Sequence, residues 1–343
     1  MSSRATLTEG RRPSGARPPA PGRLVVSCGL VLLAAVAVRL VTIGLGSPLP
    51  SALSDGITLA ASVVIESLPF VFLGVIISIA VQLWVPTRMM EAVVPRRGIP
   101  RRAVLSLLGV VLPVCECGNV PLARGLMMRG FSVADSVTFL LAAPLLNPIT
   151  IVTTYQAFGW NDGILVSRIV GGFVIANLVG LLVDLHPDPT RLLTPTWAAA
   201  CAAPGDEDAR PSLGRVGSLF REEVSAMLPA LFFGAAIAGI IQVAVSRETL
   251  IGVGGHPVYG VLAMITLAFV IAICSNVDAF FALSLASTFS PGALVAFLVF
   301  GPMIDVKILA MLSTTFRVRA LTAITLFVAL ATAVLGLGVN LLV

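Results

Sequence analysis

Long apolar blocks alternate with short polar stretches along almost the whole chain, near 24–46, 57–83, 103–131, 136–159, 163–185, 219–245, 258–289, 291–314 and 320–342. A helix needs about 20 apolar residues to cross a hydrocarbon core of about 30 Å, and each block is long enough. The pattern predicts an all-α integral membrane protein with eight or nine hydrophobic segments. Two stretches stand apart. Residues 1–23 are rich in Pro, Gly, Ser and Arg and predict a disordered tail. Residues 186–216 carry His186, Pro187, Asp188, Pro189 and Asp206-Glu207-Asp208 without apolar periodicity, and predict a polar linker. The block at 24–46 outruns a signal-peptide core of about 7–15 residues, so it reads as an uncleaved transmembrane helix.

Rare residues then recur at nearly one spacing. Leu68-Pro69-x-x-Phe72-x-Gly74 with Gln82 matches Leu228-Pro229-x-x-Phe232-x-Gly234 with Gln242. Cys117-x-Asn119-Val120 matches Cys274-x-Asn276-Val277, and Pro144-Leu145-Leu146-Asn147 matches Pro302-Met303-Ile304-Asp305. Chance similarity between leucine-rich helices would not align Pro, Gln, Cys and Asn together. The chain divides into a first repeat at 55–185, the linker at 186–216 and a second repeat at 217–343, each repeat of four segments.

Composition narrows the class. Apolar residues make up 57% of the chain and charged residues 11%, against about 25% charged in soluble domains. The net charge of +5 comes mostly from arginine near segment ends, which suits membrane orientation and anionic headgroups rather than nucleic acid. Arg88, Arg96, Arg97, Arg101 and Arg102 mark the loop 86–102 as cytoplasmic, together with the Arg-rich N-terminus. If 103–131 and 258–289 cross fully, the repeats are parallel. If both re-enter, the repeats are inverted and Arg124 and Arg129 also lie inside; this is the preferred expectation.

Polar residues inside the apolar blocks carry the candidate chemistry. Cys115-Glu116-Cys117-Gly118-Asn119-Val120-Pro121 and Cys274-Ser275-Asn276-Val277-Asp278 place helix-breaking groups at membrane depth. Such backbone is tolerated there only when buried in protein or lining a wet cavity, and paired breaks in two halves point to a transporter's binding site. Cys115, Cys117 and Cys274, with Asn119, Asn276 and Asn147, are the candidate substrate ligands. Soft sulfur ligands select Cu(I), Zn(II) and similar thiophilic species, so the three cysteines are also the candidate ligands for a transported metal ion. Glu66, Glu116, Asp278, Asp305 and Lys307 would each cost about 2.5–3.5 kcal/mol if charged at mid-bilayer. They are read as proton-coupling or ion-pairing groups, with Lys307 finding its partner on another segment. Pro113, Gly118, Pro121, Pro144, Pro148 and Pro302 are read as helix breaks. Cys28 and Cys201 read as small packing residues.

No P-loop, zinc-protease or serine-hydrolase pattern occurs, and the two histidines, His186 and His256, lie outside the apolar cores. The chain is read as no enzyme, with no cofactor and no ATPase subunit. Its partners are the lipid bilayer and a small thiophilic substrate, with no nucleic acid.

The motifs together resemble a bacterial permease family that includes organoarsenical exporters and proposed copper/zinc efflux permeases. The resemblance rests on Pro113-x-Cys115-x-Cys117-Gly118-x-x-Pro121, Ala143-Pro144-Leu145-Leu146-Asn147-Pro148, Cys274-Ser275-Asn276-Val277-Asp278 and Gly301-Pro302-Met303-Ile304-Asp305-x-Lys307. It spans about residues 55–320. It implies a multi-pass exporter of the cell (cytoplasmic) membrane, with the Cys-x-Cys segment as thiol site and trivalent organoarsenicals or soft metal ions as substrates. Glu116 between the cysteines and Gly118-Asn119 after them depart from some arsenical exporters. The expected mechanism is proton- or potential-coupled alternating access. The competing reading is a membrane thiol-disulfide electron relay between Cys117 and Cys274.

Overall fold

The computed structural model describes residues 51–85, 95, 98–112, 114–160, 163–202, 212–244 and 256–342. The N-terminal tail, the segment 24–46, Arg88, Arg96, Arg97 and Pro113 lie outside them. The described residues form helices and no strand beyond one isolated bridge, Leu193 to Phe316.

Before the linker run α1 (Ser51–Trp84), α2 (Ile99–Val111), α3 (Glu116–Met128), α4 (Val133–Leu146), α5 (Pro148–Phe158) and α6 (Ile164–Asp184). A 3-10 turn at Pro189–Leu192 and α7 (Pro195–Ala202) occupy part of the stretch read as linker. Then come α8 (Leu213–Ala244), α9 (Pro257–Ile271), α10 (Asp278–Leu283), α11 (Pro291–Met303), α12 (Val306–Leu312) and α13 (Val318–Leu342). By length and composition α1, α6, α8, α11 with α12, and α13 can each cross a membrane. The pair α4–α5, bent by 40°, makes a sixth candidate. Among the described residues the candidates are thus five or six; segments 103–131 and 258–289 are not continuous helices, and the block 24–46 lies outside the described residues.

Side-chain contacts fix the direction of each helix. Phe72 of α1 stacks on Phe220 of α8 at 6.0 Å, while Gly56 near the start of α1 meets Gly239 near the end of α8. α1 and α8 are therefore antiparallel. Arg101 at the start of α2 lies 5.0 Å over the ring of Phe131, just past the end of α3. It also pairs with Asp135 in the first turn of α4 at 2.7 Å. The α2–α3 segment thus leaves and returns at one end of the bundle. That end also holds Arg129, whose guanidinium donates to the carbonyls of Val81 in the last turn of α1 and Val85 just after it.

The α9–α10 segment does the same at the opposite end. Asn340, near the end of α13, accepts from Gly292 N–H at the start of α11 and donates to the Pro257 carbonyl at the start of α9. Among the described helices, α1, α4–α5 and α6 are the candidate spans before the linker, and α8, α11 with α12, and α13 those after it.

Local chemistry explains the helix ends. Ser132 and Asp135 form a reciprocal capping box at α4. Pro148 disfavours helical backbone at the residue before it, and Asn147 is extended at φ −61°, ψ 129°, ending α4 and capping α5 through Ile149 N–H. Some expected breaks fall elsewhere. Gly118 and Pro121 lie within α3, Pro144 within α4 and Pro302 within α11. A proline removes one rung of the helical ladder, which a helix survives when neighbours hold it. Gly118 serves close packing instead: a Cβ on Gly74 of α1 would strike the Gly118 carbonyl.

Candidate functional site

The first Cys-Asn motif forms the first turn of α3, just after the gap from α2, and the second lies in the gap between α9 and α10. α2 ends at Leu112 in extended backbone, and Cys115 caps α3 with its carbonyl accepting from Gly118 N–H and Asn119 N–H. α9 ends at Ala272, left-handed at φ 53°, and the Cys274 carbonyl accepts from Val277 N–H and Asp278 N–H. In this hydrogen-bond pattern Cys274 takes the place of Cys115, two residues from its sequence match at Cys117. The exposed chain ends of the second break are satisfied by side chains. Gln242 donates to the Val270 and Ile271 carbonyls, and Lys307 to the Ala272 carbonyl at 2.8 Å.

Glu116 is the hub that joins the two breaks. Its Oε1 accepts from Lys307 Nζ at 2.9 Å, and its Oε2 accepts from Ser275 Oγ at 2.9 Å and Ser275 N–H at 3.3 Å. Cys274 Sγ approaches the same oxygen at 3.8 Å. Lys307 also lies 3.5 Å from Asp305 Oδ2. Asp305 and Lys307 are two apart and would diverge on a helix. Asp305 instead caps α12 from extended backbone, accepting from Ile308 N–H, and so faces the ammonium. Lys307, Glu116 and Asp305 are all buried.

The thiols surround this hub. Ligand atoms of Cys115, Glu116 and Cys117 lie within 4.8 Å of one another, an arrangement able to hold a metal ion. Cys117 donates to Ser67 Oγ of α1 at 3.5 Å. Cys115, Cys117 and Cys274 are 1%, 1% and 4% exposed and free of disulfides. Cys115, Glu116, Cys117, Cys274 and Lys307, from three distant segments, thus bring soft ligands, a carboxylate and an ammonium into one buried cluster. Asn119 is wholly buried with neither side-chain polar atom hydrogen-bonded. Unsatisfied buried amides are rare and costly, so Asn119 has capacity for a polar partner.

The other expected residues fall into a second network. Asp278 accepts both guanidinium nitrogens of Arg168, at 3.0 Å and 2.6 Å. Arg168 Nη1 also donates to Thr154 Oγ1 at 2.7 Å. Thr150 Oγ1 lies 3.5 Å from Asn276 Oδ1. Asn147 donates to the Val114 carbonyl at 3.2 Å, bracing the first break from α4–α5. Arg168 escaped the sequence reading, although a lone cation inside the apolar block 163–185 was a signal available there. Ser67, Ser275 and Thr154 gave none, since small hydroxyl residues are unremarkable in membrane helices.

Glu66 stands apart from both networks, on the wall of a cavity of about 450 Å³ bounded by α1, α8 and the end of α9. At the Arg-rich end Arg124 pairs with Glu223 at 3.0 Å and lies 3.7 Å over the Trp197 ring of α7, tying the linker helix to the bundle.

Comparison with known proteins places this geometry. A model of the ArsP_1 family, described as predicted permease, matches residues 53–341. The UPF0718 protein YcgR of Bacillus subtilis is 36% identical over 265 residues, covering 75% of this chain and 87% of that protein. A Streptococcus mutans protein, designated a candidate subunit of a two-component membrane permease complex, is 29% identical over 79% of this chain and 90% of its own length. The UPF0718 protein YraQ of Escherichia coli is 30% identical over 115 residues, 33% of this chain and 32% of that protein. No solved structure matches. The chain is a multi-pass membrane protein and belongs to the ArsP_1 predicted-permease family.

Proposed function

We propose that the protein is a secondary exporter of a thiophilic substrate, a trivalent organoarsenical or a soft metal ion, driven by protons or membrane potential. The observation that carries this reading is the cluster of Cys115, Cys117 and Cys274 around Glu116 and Lys307, where two helix breaks meet. Thiolates bind such species, and release needs protons returned to sulfur; a free thiol has a pKa of about 8.5. Glu116 and Asp305 stand within the cluster and serve as proton carriers, while Lys307 holds their charge.

The architecture supports alternating access between inverted repeats. Helices α1 and α8, which carry the matching Leu-Pro-x-x-Phe-x-Gly motifs, pack antiparallel, and the two returning segments enter from opposite ends. Inverted repeats with discontinuous helices at their interface are a common transporter plan. The Arg-rich end, with Arg101, Arg102, Arg124 and Arg129, is then cytoplasmic.

A resistance panel in a sensitive bacterial host tests the substrate class, using arsenite, methylarsenite, copper, zinc and silver. Resistance to at least one compound is expected, and is lost when Cys115, Cys117 and Cys274 are all changed to Ser. Resistance that survives the triple change removes the thiol site.

A further inference from the structure

The buried thiol cluster has an anteroom. The cavity of about 450 Å³ beside it is open on one side and is walled by Leu59, Ser62 and Glu66 of α1, Gln242 of α8, and Val270 to Ile273 at the second break. Ile273 adjoins Cys274 in the chain, and Glu66 adjoins Ser67, whose Oγ meets the Cys117 thiol at 3.5 Å. Glu66 is the sixteenth of the 34 residues of α1, a helix about 50 Å long, so it stands near the helix midpoint.

Acids outnumber cations around it. No described Lys or Arg forms an ion pair with Glu66, and Lys307, which donates to the Ala272 carbonyl on this wall, is opposed by both Glu116 and Asp305. The last turn of α9 also ends on this wall, and a helix C-terminus carries about half a negative charge. Gln242 and Lys307 satisfy its terminal carbonyls, and the Lys307 charge is offset by the two acids it pairs with. Apolar neighbours such as Leu59, Leu267 and Phe281 lower the local dielectric, which strengthens the attraction for any cation that enters.

We propose that this cavity is a cation-selective vestibule of the thiol site, in which Glu66 and the C-terminal end of α9 collect a small positively charged solute. The inference deepens the exporter reading above on its soft-metal-ion side, since it supplies a cation entrance to the site that reading invokes, whereas a trivalent methylarsenical is uncharged in water. Leu59, Leu267 and Phe281 would equally suit a lipid tail, and the test separates the two occupants by charge.

Ser62 lies one turn before Glu66 on the same wall and offers an isosteric probe. In purified full-length protein with Cys28 and Cys201 changed to Ser, Ser62→Cys is reacted with a cationic trimethylammonium methanethiosulfonate and with its anionic sulfonate counterpart. The cationic reagent is expected to react about tenfold faster relative to the pair's intrinsic ratio. Glu66→Gln brings the preference down severalfold and Glu66→Asp retains it. Once Ser62→Cys is modified, alkylation of Cys274 by N-ethylmaleimide, followed by mass spectrometry of its peptide, slows severalfold.

Equal rates for the two reagents, or a preference unchanged by Glu66→Gln, overturn the cation site and favour a lipid-filled crevice. Unchanged Cys274 alkylation after Ser62→Cys is modified overturns the vestibule as the route. Both readouts are chemical and need no transport, so loss of the resistance phenotype leaves them untouched.

Discussion

Lys307 holds its ammonium 2.9 Å from Glu116 Oε1, joining residues 191 positions apart across the two halves of the chain. Arg168 and Asp278 make the reciprocal connection, a first-half cation to a second-half acid. Each break therefore carries an acid held by the other half. Breaking a buried pair from one side strands a charge, whereas replacing both partners with neutral groups of similar shape can be nearly neutral.

Lys307→Met should lower the stability of the detergent-purified protein by about 3–5 kcal/mol, because Glu116 and Asp305 lose their cation. Adding Glu116→Gln should restore part of that loss. Thermal unfolding of the two variants checks this, and a double variant no more stable than Lys307→Met would show that the pair is not coupled.

The Arg168–Asp278 pair is bidentate, which a lysine cannot reproduce. Arg168→Lys should destabilise the protein by about 1–3 kcal/mol, the range for a buried acceptor left unsatisfied. A melting temperature equal to wild type would place the pair's geometry outside the folded core.

Gly74→Ala should cost more stability than a single methyl ordinarily does, since its Cβ would meet the Gly118 backbone rather than a flexible side chain. Gly338 has open space around its Cβ position, so Gly338→Ala should be neutral or stabilising by up to about 1 kcal/mol from helix propensity. Expression and thermal stability of the two variants compare them directly.

The returning segments make a topological prediction. Ile99 and Met128, at the two ends of α2–α3, should label from one side of the membrane after substitution by Cys. Tyr259→Cys and Ser287→Cys, flanking α9–α10, should label from the other. All four are exposed, and the native cysteines in the described breaks are buried. Impermeant labelling of right-side-out and everted vesicles reads the result; Ile99 and Met128 on opposite sides would mean that α2–α3 crosses.

Much of the site was legible because polar residues in lipid-length apolar blocks have few innocent explanations. Cys115, Glu116, Cys117, Cys274 and Lys307 stand out against their neighbours, and the structure gathers them in one cluster. The partner of Asp278 was not legible, since Arg168 sits in a block that lacks the motifs shared by the two halves. Nor was the approach of Asp305 to Lys307, which depends on Asp305 lying outside the helix rather than on it. The prolines misled by one to several residues, because they weaken a ladder without fixing where it opens. Asn147, held extended by Pro148, is where the first half's long crossing bends. The helix α7 was hidden in polar sequence, and its docking depends on Trp197 meeting Arg124 from a distant element.

The thiol cluster is the centre of the account, and flux through it is the direct test. Everted vesicles bearing wild-type protein should accumulate a trivalent methylarsenical or silver ion when a proton gradient and membrane potential are imposed. Accumulation should fall at least about tenfold when Cys115, Cys117 and Cys274 are changed to Ser together, a loss of ~1.4 kcal/mol or more in transition-state stabilisation. Accumulation that is undiminished in the triple variant, or that persists when both gradients are collapsed, would contradict it.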